Sequence, residues 1–183
     1  MAHDMLSELR QTRPFEVPEE ELHLSLLRTA DLLGRGVSLL LKDRGISGPQ
    51  YNVLRILRGA GDAGLPCGEI AARMVTRDPD VTRLLDRLEQ RGLIGRGRGA
   101  DDRRVVSARI SAEGAVLLAE LDPLIQDLHR HQLGHLGLDR IRGLLDELTG
   151  IREHLDARED AREEGRDGRE VPDADLAAPV PFA

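Results

Sequence analysis

Apolar residues recur at every third or fourth position through most of this chain, which is the spacing of an amphipathic helix. The first such stripe predicts a long helix over residues 19–42. The next helix begins after Ser47, because Gln50 three residues later completes a capping-box spacing. Two later stripes predict helices over Ala112–Leu133 and over residues 139–157.

A pair of short helices is predicted in the middle of the chain, the first over residues 68–74. The second follows Asp78, a natural N-cap, with Pro79 at the first helical position, where its missing N–H costs nothing. Gly92 supplies its C-terminal stop. Its apolar residues fall at i, i+3, i+4 and i+7 and form one stripe of Val81, Leu84, Leu85 and Leu88.

The period then changes from helical to alternating. Leu93 and Ile94 start one strand, and a second strand over Val106–Ile110 alternates apolar with polar residues. Between them lies a glycine- and charge-rich hairpin loop, GRGRGADDRR. A two-stranded ribbon directly after a helix pair is the layout of a winged helix. The predicted fold is therefore mainly α, with a small two- to three-stranded β wing on a winged helix-turn-helix core.

The composition is compatible with a helical interior in a cytoplasmic protein. Aromatic residues make up only 2% of the chain and tryptophan is absent, so Leu, Val, Ile and Ala must build the core. No apolar run approaches the roughly 18 residues needed to cross a bilayer, and no signal-peptide pattern is present. We therefore expect no membrane partner. Cys67 is the only cysteine, which excludes an intramolecular disulfide.

The charge of the chain is unevenly distributed. The formal net charge is −7 at pH 7, which would oppose an approach to nucleic acid. Residues 66–110, however, carry ten arginines against seven acidic residues, whereas residues 150–183 carry five arginines against ten. The field that a phosphate backbone meets is local, so the central segment remains suited to binding nucleic acid.

The polar side of the second short helix carries residues suited to reading DNA. Asp80, Thr82, Arg83 and Arg87 point away from the apolar stripe. Arginine can bridge guanine O6 and N7 in the major groove, and threonine can contact phosphate or base edges. A carboxylate would repel phosphate, so Asp80 either accepts from a cytosine amino group or caps the helix.

The hairpin loop supplies a second candidate surface for DNA. An arginine at such a tip can enter a narrow minor groove, where the potential is most negative. The aspartates of the loop are expected to pair with an arginine and to fix the shape of the loop. The residues concerned are Arg96, Arg98, Asp101, Asp102, Arg103 and Arg104.

The segment IAARMVTRDPDVTRLLDRLEQRGLIGRGRGADDRRVVSARISAEG resembles the signature of the MarR family of bacterial regulators. It contains a helix-turn-helix, a GL[IV]xR strand, a DRR wing and an [ST]xxG start to the next helix. SGPQYNVLRIL, which begins at Ser47, matches the preceding helix of that family. The resemblance covers about residues 19–157 and implies a repressor that binds double-stranded DNA.

The resemblance also implies roles for individual positions. Four of them match recognition-helix residues that face the major groove, and three match wing residues at the minor groove and the backbone. They are Pro79, Asp80, Arg83 and Arg87 on the helix, and Asp102, Arg103 and Arg104 on the wing. The family pattern implies a homodimer that is released from DNA by a small ligand, and a two-fold dimer should favour a pseudo-palindromic operator. The ligand pocket is expected to be lined by aliphatic residues of the dimerisation helices, which suits a small apolar or phenolic compound. We expect no cofactor and no metal.

These patterns divide the chain into five parts. We expect a flexible arm (1–17), a dimerisation helix (18–46), the winged helix-turn-helix region (47–110), further dimerisation helices (111–157) and a disordered acidic tail (158–183). Pro123 departs from the family pattern, because a proline inside a helix is expected to kink or interrupt it.

Other features suggest alternative functions. His129, His131 and His135 suggest a metal-responsive repressor, although Gly134 is expected to end the helix before the third histidine. Cys67 suggests a redox-responsive repressor. A winged-helix protein-interaction module without specific DNA binding would need an apolar or acidic face where the arginines lie. An enzyme is not expected, since no nucleophile motif or phosphate-binding glycine motif occurs.

Overall fold

The computed structural model describes residues 5–76, 80–98 and 106–167 and is mainly helical with one small antiparallel sheet. The predicted fold class is confirmed. Two compact units divide after Gln132. No helix in the described ranges is long and apolar enough to span a membrane. The elements are α1 (Met5–Leu9), α2 (Pro18–Lys42), α3 (Gly48–Ala60), β1 (Leu65–Pro66), α4 (Cys67–Ala72), α5 (Val81–Gln90), β2 (Ile94–Arg98), β3 (Val106–Ile110), α6 (Ala112–Leu133) and α7 (Leu138–Asp167).

The core of the first unit is built on α3 and the helix pair α4 and α5. The predicted capping box opens α3: Ser47 Oγ accepts from the Gln50 N–H at 3.3 Å, and the Ser47 N–H donates to Gln50 Oε1 at 3.0 Å. The apolar stripe of α5 is buried as predicted, so its polar side faces outward. The most completely buried side chains of this core are Leu41, Val53, Leu54, Leu57, Ile70, Leu88, Leu118 and Leu121.

The sheet has the order β1-β3-β2 and is antiparallel throughout. β2 and β3 pair along their whole length and end with Arg98 opposite Val106, where the hairpin loop begins. β1 approaches β3 closely because a glycine precedes it. Gly64 has a φ of +67°, and a Cβ at this position would lie 2.5 Å from the Ala108 carbonyl oxygen.

The beginning of α6 is fixed against the end of α5. Ser111 Oγ accepts from the Gly114 N–H at 3.0 Å and donates to the Gly92 carbonyl oxygen at 2.6 Å. Gly114 is buried, and a Cβ there would overlap the Leu93 carbonyl oxygen. The [ST]xxG spacing therefore has two physical reasons: the serine caps the helix, and the glycine permits close backbone contact.

Pro123 does not interrupt α6, which runs unbroken from Ala112 to Leu133. The predicted interruption is wrong. Proline removes one N–H donor from the helix, so only the hydrogen bond to the carbonyl four residues earlier is lost. The apolar stripe on either side, Leu121 and Ile125, is buried and holds both halves of the helix in place.

Both ends of the chain contain more helix than the sequence predicts. Within the predicted arm, α1 rests on α2: Met5 is buried, and a Glu8 carboxylate oxygen lies 3.6 Å from Arg28 Nε. At the other end, α7 continues to Asp167, ten residues beyond its predicted end at Ala157. Arginine, glutamate and alanine favour helix even where they bury nothing, which the predicted disorder overlooked. The rest of the predicted tail, 168–183, lies outside the described residues.

Candidate nucleic-acid interface

The N-terminus of α5 is capped by Asp80. Its Oδ1 accepts from the Arg83 N–H at 3.1 Å, and its Oδ2 lies 3.5 Å from Arg83 Nη1. The sequence offered both Asp78 and Asp80 as helix caps. The structure confirms Asp80 and not Asp78 as the cap of α5, because the cap residue directly precedes the first helical residue, Val81. The capping role also explains why the Asp80 carboxylate need not repel phosphate, since it is directed at a helix N-terminus and an arginine. Asp78 and Pro79 lie outside the described residues.

The polar face of α5 is exposed along its length. Thr82, Arg83 and Arg87 lie on it, and the Arg83 side chain is 71% exposed. Arg83 and Arg87 are one helical turn apart, which separates them by about 6 Å along the axis. Because the opposite face is buried in the core, this helix can present only its arginine-bearing side to a partner. Such a face fits a major groove about 12 Å wide.

Arg96 does not belong to the exposed surface that the sequence assigned to it. Its Nη1 lies 2.7 Å from Asp86 Oδ1, and its Nη2 donates to the Thr82 carbonyl oxygen at 3.3 Å. Its Nε lies 3.5 Å from Glu89 Oε2, and the side chain is only 23% exposed. Arg96 therefore fastens β2 to the flank of α5 and neutralises two carboxylates there. The local signal was the acidic pair at i and i+3 on α5, followed by an arginine in the next strand.

The tip of the wing lies outside the described residues, which include neither Asp102, Arg103 nor Arg104. Arg98 is described by its backbone, as the last residue of β2. The ribbon therefore leads the chain from α5 to the loop that carries the predicted minor-groove arginines. Their contacts with DNA stay a prediction.

Cys67 packs beside the polar face of α5. Its Sγ lies 3.7 Å from Thr82 Oγ1, and the side chain is half-buried at the start of α4. A cavity of about 250 Å³ adjoins this pair and is lined by Cys67, Thr82, Leu85, Arg96, Val106 and Ala108. The cysteine thus fills space between α4, α5 and the wing, as a small apolar residue would.

A larger cavity, of about 380 Å³, lies between α2, α3, α6 and the turn after α4. This volume is within the range of small-molecule sites. The sequence predicted an aliphatic lining, but the wall also carries a phenol, a guanidinium and an imidazole, from Tyr51, Arg55 and His129. The remaining lining residues are Gly34, Val37, Ser38, Gly48, Pro49, Asn52, Val75 and Thr76. We call this space the α3 cavity.

The α3 cavity touches the segment that leads into α5. Asn52 Oδ1 accepts from the Val75 N–H at 2.8 Å, and both residues line the cavity. Val75 is five residues before the Asp80 cap. A molecule that displaced Asn52 or Val75 would therefore act on the entry to α5.

The wall of the α3 cavity is also tied to α6 through Asp122. Arg58 donates to the Asp122 carboxylate from both terminal nitrogens, at 2.5 and 3.3 Å. The Tyr51 phenol bonds to the same carboxylate. Burial raises the pKa of Tyr51 above its ordinary value of 10.0, the nearby Arg55 opposes this, and the negative charge of Asp122 raises the pKa further. The phenol therefore stays protonated and can donate.

Comparison with known proteins identifies close relatives. Residues 46–106 match the MarR family. The HTH-type transcriptional regulator TtmR of Methylorubrum extorquens (strain PA1) is 33% identical over 143 residues, which are 76% of this chain and 70% of TtmR. A MarR transcription factor from Planctomyces limnophilus superposes with a TM-score of 0.57 at 35% identity, covering 74% of this chain and 98% of that one. BpsR of Bordetella bronchiseptica, whose DNA binding is regulated by 6-hydroxynicotinic acid, has the same fold, with a TM-score of 0.66 at 21% identity over 76% of this chain and 98% of its own.

Proposed function

Because the chain belongs to the MarR family of transcription regulators, we propose that it is a repressor that binds a pseudo-palindromic operator as a homodimer and is released by a small ligand. The observation that carries this proposal is the exposed face of α5, with Thr82, Arg83 and Arg87 opposite a fully buried stripe. Its family consists of regulators and not of enzymes.

In the proposed complex, α5 enters the major groove. Arg83, near the N-terminus of the helix, reads guanine, and Arg87 one turn later binds phosphate or base edges. Thr82 contacts the backbone, while Asp80, next to Pro79, holds the helix N-terminus and Arg83 in place. The wing then follows the backbone toward the minor groove. Its contributing residues are Arg98, Arg103 and Arg104, with Asp102 fixing the shape of the loop.

A homodimer would cover the apolar residues that the helical arms leave exposed. Leu41 is the only residue of α2 that is buried, among the many leucines of that helix. Exposed apolar rows of this size mark an interface. They comprise Leu22, Leu26, Leu27, Leu32 and Leu39 on α2, Val116, Leu124 and Leu133 on α6, and Leu138, Leu144, Leu145, Ile151 and Leu155 on α7. A two-fold dimer places its recognition helices about 34 Å apart, one turn of DNA.

The ligand that the α3 cavity suits is an aromatic carboxylic acid. Arg55 and His129 can bind a carboxylate, and Tyr51 and Val37 offer apolar surface for a ring. A ligand in the cavity can then act on the entry to α5 through the hydrogen bond that Val75 donates to Asn52. Release of DNA requires that the ligand bind better to the displaced arrangement than to the DNA-bound one.

The DNA-binding part is tested by selecting random duplexes with the purified protein and measuring affinity for the winning site. We expect a pseudo-palindrome, and we expect Arg83→Ala to cost about 1–3 kcal/mol and relax the choice at one base pair. The control is Arg130→Ala, which removes an exposed arginine paired with Asp127 on its own helix. Enrichment of no duplex even at low salt would refute DNA binding and favour a protein-interaction module.

The ligand part is tested separately with operator bound to the protein. We expect 6-hydroxynicotinic acid or benzoate to release the operator, benzamide to act far more weakly, and Arg55→Leu to abolish the difference between acid and amide. Asn52→Ala should release less DNA than the wild type at saturating acid, because the link to Val75 is lost. Equal release by acid and amide would refute a carboxylate site without touching the DNA-binding proposal.

A further inference from the structure

Arg91 joins the C-terminal end of α5 to the C-terminal end of α2. Its Nη1 donates to the Gly45 carbonyl oxygen at 2.5 Å, and its Nη2 donates to the Arg44 carbonyl oxygen at 3.0 Å. The guanidinium packs over Gly45, where a Cβ would lie 3.7 Å from both terminal nitrogens. Two donors in a fixed fork thus bind two successive carbonyls, which a lysine cannot reproduce.

Both ends of this connection have a fixed backbone. Arg91 is the C-cap of α5, with φ −89° and ψ 0°, and the Leu93 N–H that follows donates to the Leu88 carbonyl oxygen at 3.0 Å. The last turn of α2 is closed by the Gly45 N–H, which donates to the Lys42 carbonyl oxygen at 2.9 Å. A cation at this position is also favoured by the negative end of the dipole of α2.

The connection continues to α6, another helix that we propose to take part in the dimer interface. The side chain of Arg44, whose carbonyl accepts from Arg91, forms an ion pair with Glu120 of α6. By contrast, the main packing partners of α5 are α3, α4 and β2. Arg91 therefore ties the end of the recognition helix to the turn that directly follows α2, the helix that carries one of the exposed apolar rows.

We propose that Arg91 is a positioning residue that sets the half-site spacing the protein accepts. This inference rests on the proposed homodimer. In a two-fold dimer, any shift of α5 relative to the dimer helices occurs in both subunits. It therefore changes the separation of the two recognition helices by twice its size. Adjacent base pairs are about 3.4 Å apart and rotated by about 34°, so a change of one base pair in spacing corresponds to a shift of about 1.7 Å and a rotation of about 17° per subunit. Fixing α5 at its C-terminal end restricts such shifts.

The test compares affinities for the selected operator with those for duplexes that have one or two base pairs inserted or deleted between the half-sites. We expect the wild type to prefer one spacing by about tenfold or more, because a changed spacing moves one half-site out of register with its recognition helix. Arg91→Gln should reduce the ratio of affinities between the preferred spacing and the altered spacings several-fold. The base preference inside each half-site should stay unchanged. The ratio for Arg91→Lys should lie between those of the wild type and Arg91→Gln. The control variant Arg130→Gln should give the wild-type ratio.

The readout is the ratio of affinities, so a variant that is merely less folded leaves it unchanged. The fold should survive, because the Arg91 bonds are exposed and the freed carbonyls can turn to water. Unchanged ratios in both Arg91 variants would overturn the proposal. So would a wild type that binds all spacings equally. A wild type that binds no duplex would instead refute the proposed function itself.

Discussion

Gly114 offers a direct test of how the winged region is joined to α6. The residue lies in the first turn of α6, and a Cβ added there would overlap the Leu93 carbonyl oxygen and lie 2.9 Å from Ile110 Cγ1. The obstacle is backbone, so it cannot rotate away as a flexible side chain would. We therefore expect Gly114→Ala to destabilise the protein, although alanine normally favours a helix over glycine.

The magnitude follows from what must move. Relieving the overlap separates α6 from the end of α5 and breaks the hydrogen bond from the Ser111 N–H to the Leu93 carbonyl oxygen, now 3.1 Å long. Losing one such bond costs about 0.5–1.5 kcal/mol, and overpacking costs about 1–3 kcal/mol. The better helix propensity of alanine offsets up to about 1 kcal/mol. With an offset of about 1 kcal/mol, the free energy of unfolding should therefore fall by about 0.5–3.5 kcal/mol.

The assay is urea unfolding followed by circular dichroism, at one fixed protein concentration because a dimer's stability depends on it. Gly59→Ala is the matched control: Gly59 is an exposed helical glycine in α3, and a Cβ there meets nothing within 4 Å. That control should gain up to about 1 kcal/mol. If Gly114→Ala were as stable as the wild type or more stable, the close backbone approach at Gly114 would be refuted.

Three further predictions follow from the site. Arg96→Met should weaken operator binding by up to about 1 kcal/mol with an unchanged salt dependence in a salt titration, since Arg96 positions α5 without reaching phosphate; a reduced salt slope would contradict this. Asp80→Ala should lower the unfolding free energy by about 1 kcal/mol by removing the cap, and an unchanged urea midpoint would count against it. Tyr51 is the only tyrosine and tryptophan is absent, so the ultraviolet absorbance of phenolate reports Tyr51 alone, and its midpoint should lie above pH 10.0. Because the folded pKa is raised, its contribution to stability is present below pH 10 and lost as pH rises through the folded value, so Tyr51→Phe should lose less stability above pH 10 than the wild type.

The features that could be predicted from the sequence are those that depend only on residues close together along the chain. The stripe of α5 was predictable because four apolar residues at helical spacing can be buried together only in a helix. The capping box at Ser47 was predictable because its two partners are three residues apart. The cap of α5 stayed open between Asp78 and Asp80, since both aspartates precede the stripe and sequence gives no measure of which carboxylate meets an N–H.

The roles of individual arginines were beyond the reach of the sequence. Arg83, Arg91 and Arg96 look alike in a charge count, yet their surroundings differ. Arg91 meets carbonyls 46 and 47 residues away in sequence, which only the tertiary fold brings near. Arg96 was assigned to the DNA surface because it lies on the wing, but the acids on the flank of α5 bind it. Long-range pairing, and not residue type, distinguishes the arginines proposed to read DNA from those that hold the structure together.

Pairing also changes how the positive charge of the central segment should be counted. Arg96 is offset by Asp86 and Glu89, and Arg83 shares its charge with Asp80, so α5 by itself brings at most two cations to DNA, Arg83 and Arg87. In a dimer these four charges would give a slope of log affinity against log salt of about −3.6, whereas adding the three wing arginines of each subunit would bring it to about −9. A slope near the larger value would require the wing to bind the backbone as predicted. A slope near the smaller value would mean that the recognition helices alone engage DNA, whatever the excess of arginine over the whole segment.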